Sequence, residues 1–270
     1  MKKQRNREAL RTPLSARSVV ASTLLGCHPP RLPAQALVRM GELFGIVEGT
    51  LRVALSRMVA AGELEAGDNS YCLTGGHLLR RQARQEEGWH PTLREWDGTW
   101  MMVVVVRGGR SAPERVELRA AMAALRLGEL REGIWLRPDN LDPGRLPAAR
   151  VVVDAQCRWF GTRPSGEDHG RHLAAELWDL SGWAKSAERL RRQMDQIVSR
   201  LEAGDHAALA PASLVSAAVV RHFVADPLLP AELLPTSWPA DAMRAEYGRF
   251  EKALRRLLQA WIRHHQRQSP

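Results

Sequence analysis

The stretch Glu48–Arg57, EGTLRVALSR, sets two arginines, a threonine and a serine among apolar residues. A guanidinium fork can pair with the O6 and N7 edge of guanine or clasp a phosphate, and hydroxyls can donate to phosphate oxygens. Leu51, Ala54, Leu55, Met58 and Val59 recur at i, i+3, i+4, i+7 and i+8. That spacing predicts an amphipathic helix over Glu48–Ala61. Thr50, Arg52, Val53, Ser56 and Arg57 then fall on or near its free face. An α-helix fits the major groove of B-DNA, with its early residues at base edges and others on phosphates. By itself the pattern favours an amphipathic helix with solvated arginines, and its combination with the hairpin and the basic arm reverses that.

Other chemistry finds less support. His169 and His172 stand at i, i+3 beside Asp168. They could form half of a metal site, but no matching ligand pair occurs elsewhere. Three widely spaced cysteines, Cys27, Cys72 and Cys157, fit neither a disulfide framework nor a zinc site and read as reduced thiols. GxSxG, P-loop and GxGxxG patterns do not occur, which removes the sequence basis for hydrolase, NTPase and dinucleotide-binding readings. No cofactor or metal is expected.

The elements around the arginine-bearing helix give it a context. Ser15–Leu25 reads as a helix, and HPPRLP breaks it. Ala34–Phe44 is a second helix, and Gly45–Ile46 is a turn into the third. Gly62 ends that third helix. Glu63–Ala66 and Ser70–Leu73 read as short strands around the turn Gly67–Asp68–Asn69, and Leu78–Glu87 reads as a polar helix leading out. Helix, helix, turn, helix, hairpin is the order of a winged helix-turn-helix, expected over residues 15–87. The chain carries a net charge of +9. In the first forty residues Lys2, Lys3, Arg5, Arg7, Arg11, Arg17, Arg31 and Arg39 face Glu8 alone. A basic arm over residues 1–14 suits phosphate binding through counterion release.

A linker is expected over 88–95. Residues 96–160 then read as β-α-β-β-α-β: a strand Thr99–Arg107, a helix Pro113–Leu125, two strands within Gly128–Arg137, a short helix Asn140–Leu146 and a strand Arg150–Ala155. That order is a ferredoxin-like domain. Residues 161–270 are nearly all helical, with segments Arg171–Leu180, Ala184–Glu202, Ala212–Ala225 and Asp241–Gln266. The fold class is α+β. DPLLPAELLPTSWP, between the last two helices, carries four leucines that must pack somewhere. No apolar run approaches the roughly 18 residues of a membrane span, and the charged N-terminus is not followed by a signal-peptide core. A cytoplasmic protein that does not engage membranes is expected.

Several of these stretches together resemble the phenylacetic-acid-degradation repressors, the PaaX-type transcriptional regulators. They are ARSVVASTLLG, FGIVEGTLRVALSRMVAAGELE with SYCLT, WDGTWMMVVV, GELREGIWLRP and DPLLPAELLPTSWP. The resemblance runs from about Ser15 to about Tyr247. It implies a homodimeric regulator with a winged helix, a middle ferredoxin-like domain related to CRISPR-adaptation nucleases, and a helical C-terminal domain for dimerisation and effector binding. It implies repression of a catabolic operon from a palindromic operator in double-stranded DNA, relieved by an acyl-CoA such as phenylacetyl-CoA. Carried over by position, the recognition residues are Thr50, Arg52, Ser56 and Arg57. The family wing is often arginine-rich, whereas here the tip is Gly67–Asp68–Asn69. The aspartate would be repelled by phosphates, while Asn69 can donate a hydrogen bond.

The related nucleases hold a metal through an acidic residue at the end of the first strand. Here that strand ends VVVVRGG, without a carboxylate, so no enzyme is expected. An aromatic acyl-CoA would need aromatic walls and cations for its phosphates. Trp135, Arg137, Arg158 and Trp159, at strand ends, are the candidate effector residues. Two other readings remain open: a ligand-independent DNA-binding protein, and an RNA-processing enzyme built on the ferredoxin-like domain.

Overall fold

A computed structural model describes residues 14–27, 29–76, 89–166 and 169–266. The basic arm up to residue 13, the expected helix Leu78–Glu87 and Asp168 lie outside these. Helices combine with two small antiparallel sheets, an α+β arrangement. The chain divides into two compact units. One comprises Met1–Trp89, Ala187–Val224 and Asp241–Pro270, and the other His90–Ser186 and Ala225–Ala240.

The first unit opens with α1 (Ala16–Leu25), whose Ser15 hydroxyl accepts from the Ser18 amide as an N-cap. Strand β1 (Arg31–Pro33) follows, then α2 (Ala34–Leu43), α3 (Glu48–Ala60), β2 (Leu64–Gly67) and β3 (Ser70–Leu73). The three strands form an antiparallel sheet in the order β1-β3-β2. Strand β1 was not expected, because its prolines read as a break. It lies at the sheet edge, where Pro33 costs little as the last residue of a short strand, and it buries Leu32 completely. Val20, Leu24, Leu37, Met40, Leu51, Leu55 and Met58 are buried across the three helices.

The same unit includes most of α7 (Leu180–Glu202), all of α8 (Leu209–Val224) and α9 (Ala240–Gln266) apart from its first residue. Tyr247 sits at the centre of this part. Trp89 meets its ring edge-on at 5.1 Å, Phe223 does so at 5.6 Å, and its hydroxyl lies 2.9 Å from Ser216 Oγ. The stretch His206–Val224 is long and apolar enough by composition to cross a membrane, a stretch that the sequence reading passed over. Leu209, Ala212, Ala218, Val219 and Phe223 on it are buried inside the unit, as in a core helix.

The second unit is built on β4 (Trp100–Val105), α4 (Ala112–Ala124), β5 (Gly128–Arg131), β6 (Ile134–Pro138), α5 (Pro147–Asp154) and β7 (Cys157–Thr162). The sheet is antiparallel, in the order β5-β6-β4-β7. The element order is as expected, but two assignments move. The expected helix Asn140–Leu146 is loop, and the helix is α5, over what read as the strand Arg150–Ala155. Three consecutive valines suggested a strand. Pro147 in the first turn starts a helix instead, burying Val153 and leaving Val151 67% exposed. The last strand is therefore β7.

Both sheet faces are covered within the unit. Val103, Trp135 and Trp159 pack with Leu118 and Met122 of α4, Leu125 at its C-cap and Val153 of α5. On the other face Trp100, Met102 and Leu136 meet Ala174 and Leu177 of α6 (His169–Leu177), with Leu229 and Leu233. This is where Leu229, Leu233 and Leu234 of DPLLPAELLPTSWP pack. Trp178 stacks at 6.4 Å from Trp100, and Trp183 stacks on Trp238 at 4.5 Å. Trp100 and Trp183 are buried, and the unit's other tryptophans are half-buried against these two clusters, as their ring area favours.

Candidate nucleic-acid interface

Helix α3 presents its residues as its periodicity predicts. Leu51, Leu55 and Met58 are almost fully buried. Thr50, Arg52, Val53, Ser56 and Arg57 are all exposed, with Val53 at 51%. The helix is seated by a close approach to α2. A Cβ on Gly41 would lie 2.7 Å from Leu51 Cδ1, so only glycine lets the two helices meet there without adjustment. Gly45, at φ +69°, makes the turn between them.

The end of α3 is fastened to α1. Glu63, buried before β2, accepts from Arg17 Nε at 2.8 Å and pairs again with its Nη2. Arg17, counted by sequence among the basic residues available to phosphate, is thus committed to a bidentate pair. Arg52 is also engaged: its Nε lies 2.6 Å from Glu48 Oε1, one turn earlier. Both partners are more than half exposed, so the pair is weak and exchangeable. The Arg57 guanidinium has no hydrogen-bond or ion-pair partner among the described residues.

Asn69 is exposed at the hairpin tip with φ +53°, a conformation asparagine tolerates well. Asp68 beside it is exposed. The cation near this tip comes from the neighbouring strand. Arg31, on β1, donates from Nη1 to Ser70 Oγ at 3.1 Å, and that nitrogen would lie 2.9 Å from a Cβ on Gly67. Sequence reasoning placed Arg31 in a proline-rich break. Only the pairing of Arg31 with Cys72 across β1 and β3 brings it to the hairpin.

The four candidate effector residues do not converge. Arg137 is 5% exposed and donates to the carbonyls of Pro138, Leu125, Arg126 and Leu228 and to Asn140 Oδ1. Burial, and then the Arg126 charge, push its pKa down to about 9, and its hydrogen bonds tie the segments around Leu125, Asn140 and Leu228 together. Trp135 and Trp159 flank Val103 from either side and pack against its cluster. The Trp159 Nε1 donates to Asp154 Oδ1 at 2.7 Å, under an Arg150 guanidinium 3.7 Å from the ring centre. Arg158 pairs with Val104, so it stands on the opposite sheet face, exposed. Asp154, read as a strand end, closes α5 and is bound by Arg150.

Asp97 turns the chain before β4: the Thr99 amide donates to its carboxylate, which holds its pKa below the usual carboxylate range. His169 and His172 lie on α6, and no group of three possible metal-ligating side chains occurs among the described residues. Cys27 and Cys157 are buried and Cys72 is half-buried, and none of the three is in a disulfide. Burial pushes the Cys27 thiol up to about 12.

Three sequence profiles match in order along the chain. They are the PaaX-like protein over residues 15–76, the central Cas2-like domain of PaaX over 93–173, and the PaaX-like C-terminal domain over 178–267. The chain belongs to the PaaX-like protein family. The PaaX-like region holds α1–α3 and the β1-β3-β2 sheet, and the Cas2-like region holds β4–β7 with α4 and α5. Among solved structures the chain is similar to the uncharacterized protein Rv0674 from Mycobacterium tuberculosis. The two are 42% identical with a TM-score of 0.71, over 92% of this chain and 98% of that one. No curated protein matches.

Proposed function

We propose that this protein is a DNA-binding transcriptional regulator, a homodimeric repressor of a catabolic operon released by an acyl-CoA such as phenylacetyl-CoA. One observation carries the DNA-binding reading. Helix α3 buries Leu51, Leu55 and Met58 and turns Thr50, Arg52, Val53, Ser56 and Arg57 outward, directly ahead of a β-hairpin. In this reading residues 14–76 form a winged helix-turn-helix, and the β5-β6-β4-β7 unit is a ferredoxin-like domain without catalysis.

Arg52 and Arg57 approach the major groove, where a guanidinium reads guanine or phosphate. Arg52 must exchange Glu48 for DNA, and the exposure of that pair keeps the exchange inexpensive. Arg31 and Asn69 serve the hairpin, supplying the cation and donor that Asp68 does not. Two copies related by a two-fold axis would read a palindrome with half-sites about 34 Å, one helical turn, or a multiple of it apart. The protein acts in the cytoplasm. Membership of the PaaX-like family supports regulation of the phenylacetate pathway.

Fluorescence anisotropy on the chain's own upstream DNA tests this reading, with wild type, Arg52→Ala and Arg57→Ala at fixed salt. Tight binding weakened by either change is expected, with reversal by phenylacetyl-CoA. Binding equal to that of random DNA and indifferent to both changes would reject it.

A further inference from the structure

Two cations on α9 have partners close by. Arg244 lies 3.6 Å from Asp241, and Arg255 donates to Glu251, one turn earlier. Arg249, Lys252, Arg256 and Arg263 are different. All four are exposed, and their side chains have no hydrogen-bond or ion-pair partner among the described residues. Glu246, one turn before Arg249, is taken by Arg191 of α7, which donates to it at 2.8 Å.

These four cations stand in one line. Their sequence intervals are three, four and seven residues. At about 3.6 residues per turn, such intervals bring them within about 60° of arc, over about 21 Å of helix. Phe250, Ala253, Leu257 and Trp261 are buried and fix the rotation of α9. The line lies on the side turned away from Leu258, whose Cδ2 would be 2.6 Å from a Cβ on Gly26 at the end of α1. Asp195 and Glu202 of α7 line a groove with Arg249, but Lys252, Arg256 and Arg263 do not line it.

The arrangement works against the helix. Arg249 and Lys252 are at i, i+3, and Lys252 and Arg256 at i, i+4, where like charges are destabilising. Glu251 and Arg255 show the favourable pairing on the same helix. An anion laid along the line relieves the repulsion, and it must be an extended polyanion to reach all four cations. A DNA duplex carries a charge for about every 1.7 Å of its axis, so about 21 Å of it presents about 12. A membrane surface fits less well, because the large apolar residues Phe250, Leu257 and Trp261 are buried and leave none to insert. A protein partner also fits less well. Gln259 and Ala260 stand among the cations, with no exposed aromatic residue for the centre of an interface.

We propose that this face of α9 is a second nucleic-acid surface, which holds the phosphate backbone of duplex DNA without reading its bases. It adds affinity that is equal for all sequences and steep in salt, beside the base reading assigned to α3. That division of labour rests on the DNA-binding reading above, while the surface itself is detected without an operator.

The test measures the anisotropy of a fluorescein-labelled random-sequence duplex with the full-length protein, between about 50 and 200 mM salt. Lys252→Gln, Arg256→Gln and Arg263→Gln are combined in one variant, and Arg256→Gln is made alone. A control combines Arg94→Gln, Arg119→Gln and Arg163→Gln, which removes the same net charge from the second unit. Urea midpoints establish that each variant is folded. The triple variant should bind at least about tenfold more weakly at ~100 mM salt, with the slope of log affinity against log salt reduced by about 3, near 0.9 per phosphate. Arg256→Gln alone should reduce the slope by about 1, and the control should leave it near wild type. An unchanged slope in the folded α9 variants, or an equal loss in the control, would overturn the proposal. So would loss of binding to phosphatidylserine vesicles with duplex binding intact, which assigns the face to lipid. The reading of α3 fails separately, if Arg52→Ala with Arg57→Ala leaves the preference for the chain's own upstream DNA over random duplex intact.

Discussion

Gly41→Ala tests how tightly the exposed helix is seated. Gly41 lies buried on α2, and an added Cβ would sit 2.7 Å from Leu51 Cδ1. Ordinary carbon contacts need about 3.5–4.0 Å, so the helices must part by about 1 Å or Leu51 must turn away. Leu51 is fully buried, so it has no solvent to turn into. Overpacking of this kind costs about 1–3 kcal/mol. Alanine in a helix offsets part of that, about 0.8–1 kcal/mol relative to glycine. The net expectation is a loss of about 1 kcal/mol. Gly49→Ala, in the first turn of α3, provides the comparison, because a Cβ there meets nothing within 4 Å. It should gain up to about 1 kcal/mol. Urea unfolding of both variants and wild type, with the m-value checked for constancy, measures the difference. Gly41→Ala should fall below wild type and Gly49→Ala should equal or exceed it. A Gly41→Ala protein as stable as Gly49→Ala would refute the close α2–α3 seat, and with it the rigid presentation of Arg52 and Arg57.

Arg52→Ala should cost about 1–3 kcal/mol of discrimination at one base pair, measured by anisotropy on a set of single-position operator variants. An equal loss on every sequence would make Arg52 a phosphate contact. Its stability should hardly change, because the Glu48 pair is exposed. Arg137→Met orphans the buried carbonyls that Arg137 holds and should destabilise the second unit by about 3 kcal/mol or more, read by urea unfolding. Glu246 titrates below its usual value, chiefly because Arg191 donates to it. A carboxyl depressed in the folded state adds stability above its unfolded pKa and loses it as pH falls through the folded value. The urea-midpoint gap between wild type and Glu246→Gln should be full at neutral pH and close below about pH 4. A gap unchanged at pH 3 would remove that pair from the account.

Helix α3 was legible in the sequence because burial of Leu51, Leu55 and Met58 and exposure of Arg52 and Arg57 follow from one helical period. The β2–β3 hairpin was legible from Gly67–Asp68–Asn69 between short β-forming runs. Strand β1 was not, because three residues carrying a proline become a strand only when β3 is there to pair. Helix α5 was hidden by β-branched propensity, which the start signal at Pro147 and packing on α4 override. Arg137 looked like a free cation beside Trp135, since nothing local in LRP states that the carbonyls of Leu125, Arg126 and Leu228 converge on it from distant segments. The engagement of Arg17 by Glu63 was equally out of reach, spanning 46 residues.

Selection of bound fragments from a random duplex library by the full-length protein tests the central claim most directly. The account predicts enrichment of a two-fold symmetric site whose half-sites lie about one helical turn, or a multiple of it, apart, lost when Arg52 and Arg57 are both alanine. A library that stays unenriched, or enriches equally with the double variant, would contradict the assignment of α3 as the surface that reads DNA.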